Sequence, residues 1–477
     1  MKNYRRTLLI GLIFSGLMGC QNTRLEEPNI KITKQLQQDA LSSPLAYDLV
    51  ESLTVEVGPR LAGSNKDLMA VRWAENRLIK LGFDRVYKEP VQVPVWSRGE
   101  AKARVVSPFS QPLVITALGG SIATPEGGIR APIIRFDTLD ALKQANKRDI
   151  QGKIVFIDHI TERHKTGKGY GKTVGGRSRG AITASEKGAV AIVIRSIGTD
   201  HDRMAHTGMM RYKEGVAKIP AAAMSNPDAD LINQMLKRDP DVILDLFMTP
   251  QSHGFATSYN VIAEVTGSSK PDEIVLIGAH LDSWDEGTGA IDDGAGVAIV
   301  TAAGKLIQDL PVKPARTVRV VLFAAEEVGL VGGKAYAKAH RAELDKHYIA
   351  AESDFGAGRI YQIDYRVNQS ALEAIQEVTR PMISNGVTLG SNTASGGPDV
   401  SMLPKQGVPV ASLRQDGHDY FDYHHTPNDT LDKIDPKALQ QNVAAYAQFA
   451  YLMAQSEVEL RPITTGSKAK PVIIEAK

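Results

Sequence analysis

The strongest constraint on how this chain can fold is a series of short, almost purely apolar runs. Residues 274–279 carry no polar side chain at all, the pattern of a parallel strand covered on both faces. Residues 317–325, broken only by Thr317 and Arg319, and 348–351 and 408–413 are also mainly apolar, separated by helical stretches at 294–310 and 334–344 and closed by a long helix at 439–460. Strands alternating with helices predict an α/β fold, a doubly wound, mixed but mainly parallel sheet. Upstream, 45–57 reads as a helix, and 66–81 as another with Leu68, Met69, Val71, Leu78 and Leu81 at helical spacing and Gly82 as its stop. Residues 86–96 alternate like a strand through Val91, Val93 and Val95. From about Gly120 the texture changes to short β runs at 131–136, 153–158, 189–194, 219–224 and 242–247, with a helical segment at 178–187. That predicts a β-rich unit over 120–251 inserted in a main domain made of 45–119 and 252–460, with 21–44 a polar tether and 461–477 a tail.

Each apolar run of the main domain is followed by groups able to do chemistry: His280-Leu281-Asp282, Asp292-Asp293, Glu326-Glu327, Asp354 and His424-His425. Open α/β sheets bind ligands beyond the carboxyl ends of their strands, so these groups are expected to share one crevice. A carboxylate at a buried edge is costly unless it meets a cation. No run of Lys or Arg adjoins these positions, which points to a metal. The chain has a single cysteine, which excludes a disulfide framework, a cysteine-ligated zinc site and an iron–sulfur cluster. Two imidazoles and three carboxylates suit Zn²⁺, and with one bridging carboxylate they fill two neighbouring sites. One glutamate of the Glu326-Glu327 pair is then free to act as general base. Asp282, two residues beyond His280 on the same side of the strand, can accept the other ring N–H.

Taken in order, His280-Leu281-Asp282, residues 289–296, 325–329, Glu352-Ser353-Asp354 and 425–430 resemble the successive motifs of the M28 zinc metallopeptidases. Residues 395–399, and 415–417 through His424-His425, resemble the carboxypeptidase Q branch. The resemblance implies an exopeptidase acting on short peptides with two Zn²⁺ per chain. It implies Asp292 as bridge, His280 and Asp354 on one zinc, Glu327 and His425 on the other, Glu326 as base and Asp282 behind His280. His424 is assigned to substrate contact, because His425 directly precedes Thr426 as the family's ligand does. It also implies that the middle stretch is a protease-associated domain, without metal ligands, serving substrate access or contacts in a homodimer. A catalytically silent binding protein on this scaffold would be expected to have lost a ligand or the base; here all are present. A hydrolase of non-peptide amides would share the same site.

Lys2, Arg5 and Arg6 precede an apolar stretch closed by Leu17-Met18-Gly19-Cys20. Residues 7–18 are too few to span about 30 Å of hydrocarbon, so 1–20 reads as a signal peptide. Gly19-Cys20 resembles a bacterial lipoprotein cleavage box with Cys20 lipidated, and Gln21 resembles outer-membrane sorting. The expectation is an exported, periplasmic protein that touches the membrane only through that anchor. A net charge of +2 gives no case for binding nucleic acid. Residues 167–173 imitate a phosphate loop, but Thr166 stands where the motif needs glycine; they read as a flexible basic loop. His159, His164, His201 and His206 read as surface or loop histidines, and Met204, Met209 and Met210 as packing residues.

Overall fold

A computed structural model describes residues 27–463. Cys20, the signal segment and all of the expected tail beyond 463 lie outside the described residues. The main sheet has eight strands in the order Arg85–Ser97, Gln251–Val265, Arg316–Phe323, Lys270–His280, His347–Glu352, Val410–Gln415, Ile360–Arg366 and Thr388–Leu389. The four central strands, from Arg316–Phe323 to Val410–Gln415, run parallel. Antiparallel neighbours flank them on both sides. The fold class is therefore the expected mixed, doubly wound α/β.

Strand alternation divides the core into two layers. Val275, Ile277 and Ala279 face one layer with the helices Ala295–Gln308 and Pro436–Gln455, while Ile274 and Leu276 face the other with Tyr336 and Ala337 of the helix Val331–Ala339. Covering on both faces explains the uninterrupted apolar runs.

Three expectations are corrected. The described part of the expected tether, 21–44, is a helix over Glu27–Ser42. Its Thr33, Leu36 and Ala40 are buried at helical spacing. Tyr451 of the closing helix donates to Asn29 Oδ1 at 2.9 Å. With so narrow an apolar stripe, the segment reads as merely polar. Second, the inserted unit begins near Ala101 rather than Gly120. Its own eight-stranded sheet runs Gln111–Leu113, Ala101–Ser107, Ile243–Met248, Ile129–Phe136, Ile154–Ile157, Ala191–Arg195, Ala221–Met224 and Ile115–Ala117. Ala101–Ser107 pairs with Ile243–Met248 across most of the insert, a contact that no local pattern reveals. Third, the supposed flexible loop 167–173 forms the opening turns of the helix Lys168–Glu186. Its glycines lower helix propensity, but a Cβ at Gly180 would lie 2.8 Å from Ile192 Cδ1, so they let the helix sit close on the insert's sheet.

Candidate active site and metal centre

Because the four central strands are parallel, their carboxyl ends line one edge of the sheet, and every expected metal ligand and the expected base lie at or beyond that edge. His280 ends its strand; Asp292 follows on the turn Ala290–Gly294; Glu326-Glu327 follow Arg316–Phe323; Asp354 follows His347–Glu352. His424-His425 come after the short helix Tyr420–Tyr423 beyond Val410–Gln415.

These side chains converge. Asp292 Oδ1 lies 3.0 Å from His280 Nε2, and Asp292 Oδ2 lies 3.3 Å from His425 Nε2. Asp354 Oδ1 is 3.7 Å from His280 Nε2, and Glu327 Oε2 is 3.0 Å from His425 Nε2. Asp292 thus presents one oxygen to each histidine. His424 stacks on His425, ring centroids 3.5 Å apart, with Nε2 3.6 Å from Asp292 Oδ2. It approaches Asp292 but, unlike His425, forms no pair with Glu327.

Both imidazoles have their tautomer set from behind. His280 Nδ1 faces the Asp282 carbonyl at 3.0 Å, and His425 Nδ1 faces the Thr207 carbonyl at 3.2 Å. With Nδ1 turned to a carbonyl, each Nε2 faces the carboxylates. The Asp282 carboxylate is farther from His280, at 3.5 Å, and accepts the Glu326 backbone N–H at 2.9 Å. It therefore ties the strand end of His280 to that of Glu326. Asp293 does similar work, accepting from the His280 and Gly296 backbone N–H groups at 3.1 and 3.0 Å. Asp429 accepts from Ile291 N at 2.7 Å and Asp292 N at 3.3 Å. Ala325 and His425 hold φ of 56° and 63°, a left-handed conformation that costs a side-chain-bearing residue and clusters at functional sites.

The electrostatics are those of a site that needs cations. Burial raises the Glu327 and Asp354 carboxyls, although His425 and His280 respectively oppose the shift. Burial would lower both histidines, yet Asp354, Asp282 and Asp292 hold His280 well above its usual value, and Glu327 and Asp292 raise His425 to about 9. Asp292 is held well below its usual range because hydrogen bonds to His280 and His425 outweigh its burial. Glu327 Oε1 is buried with no partner among the described residues, while Oε2 accepts from Trp284 Nε1 at 2.6 Å. Divalent ions fit this donor set: ligand atoms of His280, Asp292 and Asp354 converge within 4.8 Å, as do those of Asp292, His424 and His425.

Glu326 shares a cavity with Asp292, Glu327, Asp354, His424 and His425. Burial, with Asp354 and Glu327 adding to it against His280, raises its carboxyl well above the usual range.

Sequence reasoning missed the residues that support the site from a distance. Arg60, fully buried, donates to the carbonyls of Leu281, Thr288 and Gly289 at 2.5, 2.8 and 2.9 Å. It supplies positive charge near the acids although no basic residue adjoins them in sequence. His206, read as a surface or loop histidine, lies on a loop but is buried; its Nε2 pairs with Asp200 Oδ1 at 2.5 Å and its Nδ1 faces the His424 carbonyl at 2.8 Å. Tyr170 and Arg177 of the insert's helix line the cavity opposite Glu326. Among these, only the helical continuity of 168–186 offered a signal, and its glycines masked it.

Residues 260–450 match the description "Peptidase family M28". The chain is 37% identical to carboxypeptidase Q of Rattus norvegicus over 413 residues, 86% of each chain, and 35% identical to that of Mus musculus over 412 residues, again 86% of each. Among solved structures it resembles a peptidase M28 precursor from Shewanella amazonensis, with 70% identity and a TM-score of 0.91 over 92% of this chain and 99% of that one. A zinc aminopeptidase from Bacillus subtilis, 20% identical with a TM-score of 0.62 over 88% and 98%, shares the fold. A converging set of imidazoles and carboxylates at the sheet edge, and relatives matched over most of their length, lead to one conclusion: the chain belongs to peptidase family M28 and is a metallopeptidase.

Proposed function

We propose that this protein is an exported exopeptidase that holds two Zn²⁺ ions and removes a terminal residue from short peptides. The observation that carries the reading is Asp292, one of whose oxygens faces His280 and the other His425. His280 and Asp354 would hold one ion, Glu327 and His425 the other, and Asp292 both. His425 is preferred to His424 because it alone also pairs with Glu327. The relatives' names, which include carboxypeptidases and a zinc aminopeptidase, support zinc and peptide substrates. When bound, the metal pair would supply Lewis acidity toward the scissile carbonyl and would acidify the attacking water.

The chain's own residues do the rest. Glu326 faces the cavity with a carboxylate that makes no hydrogen bond or ion pair among the described residues. It takes the proton of the attacking water and returns it to the leaving amine. Asp282 fixes Glu326 through its backbone N–H, and the Nδ1 hydrogen bonds keep the ligating histidines in one tautomer. Glu326→Gln is expected to keep its zinc, by elemental analysis, and to lose about 10²–10⁴-fold in kcat. Near-normal turnover would remove Glu326 from the base role.

Export rests on the sequence of residues 1–20. Among the described residues no helix is long and apolar enough to cross a membrane. Lipidation of Cys20 is expected to place the full-length protein in the membrane fraction and to label it with radioactive palmitate. Cys20→Ser is expected to abolish the label; persistent labelling would place the anchor elsewhere.

A further inference from the structure

The end of the main domain opposite the candidate active site carries two exposed apolar side chains near the start of the first helix. Val312, on the loop leading into the strand Arg316–Phe323, is 66% exposed; Ile79, next to last in the helix Asn65–Lys80, is 58% exposed. The segments that carry them are tied together. Gln308 Nε2 donates to Asp84 Oδ1 at 2.9 Å, and Lys313 Nζ lies 4.0 Å from the same oxygen. The helix Glu27–Ser42 starts at this end too: Asn29 Oδ1 accepts from Gln455 Nε2 at 3.4 Å, and Gln455 Oε1 accepts the Ala315 backbone N–H at 2.9 Å. Lys80, exposed beside Ile79, makes no ion pair among the described residues. The neighbouring acids Asp309, Glu457 and Asp272 are matched by Lys305, Lys270 and Lys346. Apolar side chains with a free lysine alongside suit the interface of a phospholipid layer, the lysine reaching the phosphates and the apolar groups the acyl boundary.

The lipid anchor at Cys20 decides which end meets the membrane. Glu27 stands seven positions after Cys20, a reach of at most about 25 Å when fully extended. A compact chain of this length is roughly 55 Å across, so the anchor cannot bring the far end to the bilayer. We propose that the end at which the parallel strands start is a membrane-contact surface: Val312 and Ile79 enter the phospholipid layer that holds the acyl chains of Cys20, and the candidate active site faces away from it. This rests on the lipid-anchor reading. His280 closes the strand whose first residue, Lys270, lies at the contact end, and eleven residues place the candidate ligands about 30 Å farther from the bilayer. Peptides then reach the site from the aqueous side.

The test reads orientation, because two acyl chains hold a protein on a bilayer whichever face it presents. Cys20 is the only cysteine and acylation blocks it, so Val312→Cys, Ile79→Cys, Leu41→Cys and Ile160→Cys each offer one thiol for a fluorescent label. Leu41, at the far end of the first helix, and Ile160, on the insert, are exposed comparison sites. Each full-length acylated protein is reconstituted in vesicles of phosphatidylethanolamine and phosphatidylglycerol that contain a headgroup-spin-labelled phospholipid as quencher. Labels at positions 312 and 79 are expected to be quenched several-fold more than those at 41 and 160. Stronger quenching at 41 would lay the side of the first helix on the membrane, and equal quenching at all four would mean free tumbling on the tether; either result overturns the contact surface. A label on Ser269→Cys, exposed at the same end, reads the native side chains: Val312→Glu with Ile79→Glu is expected to lower its quenching, and no change would remove the pair from the contact. Intact mass is measured first. A mass without acyl groups would overturn the anchor reading, and the contact surface with it, whereas acylated protein that fails the quenching comparison overturns the contact surface alone.

Discussion

Arg60 shows most clearly how single residues hold the reactive centre. Burial lowers its pKa, against the pull of Asp429, Asp282, Asp293 and Asp292, and its hydrogen bonds all go to backbone carbonyls. Those carbonyls belong to the loop between His280 and Asp292, so one side chain fixes the separation of two metal ligands while placing positive charge near a group of acids. Removing it takes the donor from the Leu281 and Thr288 carbonyls, while Gly289 keeps the Gly294 N–H, and each stranded carbonyl costs about 1–3 kcal/mol. Arg60→Met is therefore expected to lose on the order of 3–5 kcal/mol of stability in denaturant titrations of the metal-free protein. It is also expected to bind zinc more weakly in chelator competition. Wild-type stability and zinc affinity would show that the loop holds itself. The candidate ligands were legible in sequence because His280, Glu327 and Asp354 sit at or just after the ends of apolar runs, and Asp292 and His425 follow in the next connection. Arg60 was not, because Gly58-Pro59-Arg60 reads as an ordinary turn and its partners are more than two hundred positions away.

At the scale of elements, the central parallel strands were readable because burial on both faces leaves no polar alternation to confuse the pattern. The end of such a strand carries chemistry; its start carries stability. His347 opens its strand fully buried, between Tyr336 Oη at 2.8 Å and the Glu343 carbonyl at 3.1 Å. Burial lowers its pKa to about 4, only partly opposed by the Glu343 hydrogen bond. The unfolded chain therefore binds the proton first. The stabilisation is complete above the unfolded pKa of about 6.5 and is lost as pH falls toward 4, up to about 3 kcal/mol. His347→Gln is expected to flatten the stability–pH profile between 6.5 and 4; an unchanged slope would assign the acid sensitivity to other groups. Elements read less well where propensity and packing disagree. The glycines of Lys168–Glu186 weaken its helical signal although they allow its close approach to the sheet. Glu27–Ser42 buries too narrow a stripe to stand out from a polar tether.

The molecule as a whole is two sheets meeting at one site. The main sheet supplies the candidate ligands and base; the insert supplies Thr207 behind His425, His206 behind the His424 carbonyl, and Tyr170 and Arg177 in the cavity wall. That partnership was invisible in sequence, since the insert carries no metal-ligand spacing and acts through a carbonyl and through groups far away along the chain. What the reading as a whole requires is that Asp292 join two metal ions. Diffraction from zinc-loaded crystals at the zinc absorption edge tests this most directly. The expected result is two anomalous peaks about 3.5–4 Å apart, one on each side of the Asp292 carboxylate, flanked by His280 with Asp354 and by His425 with Glu327. A single peak, or a second peak away from Asp292, would contradict it.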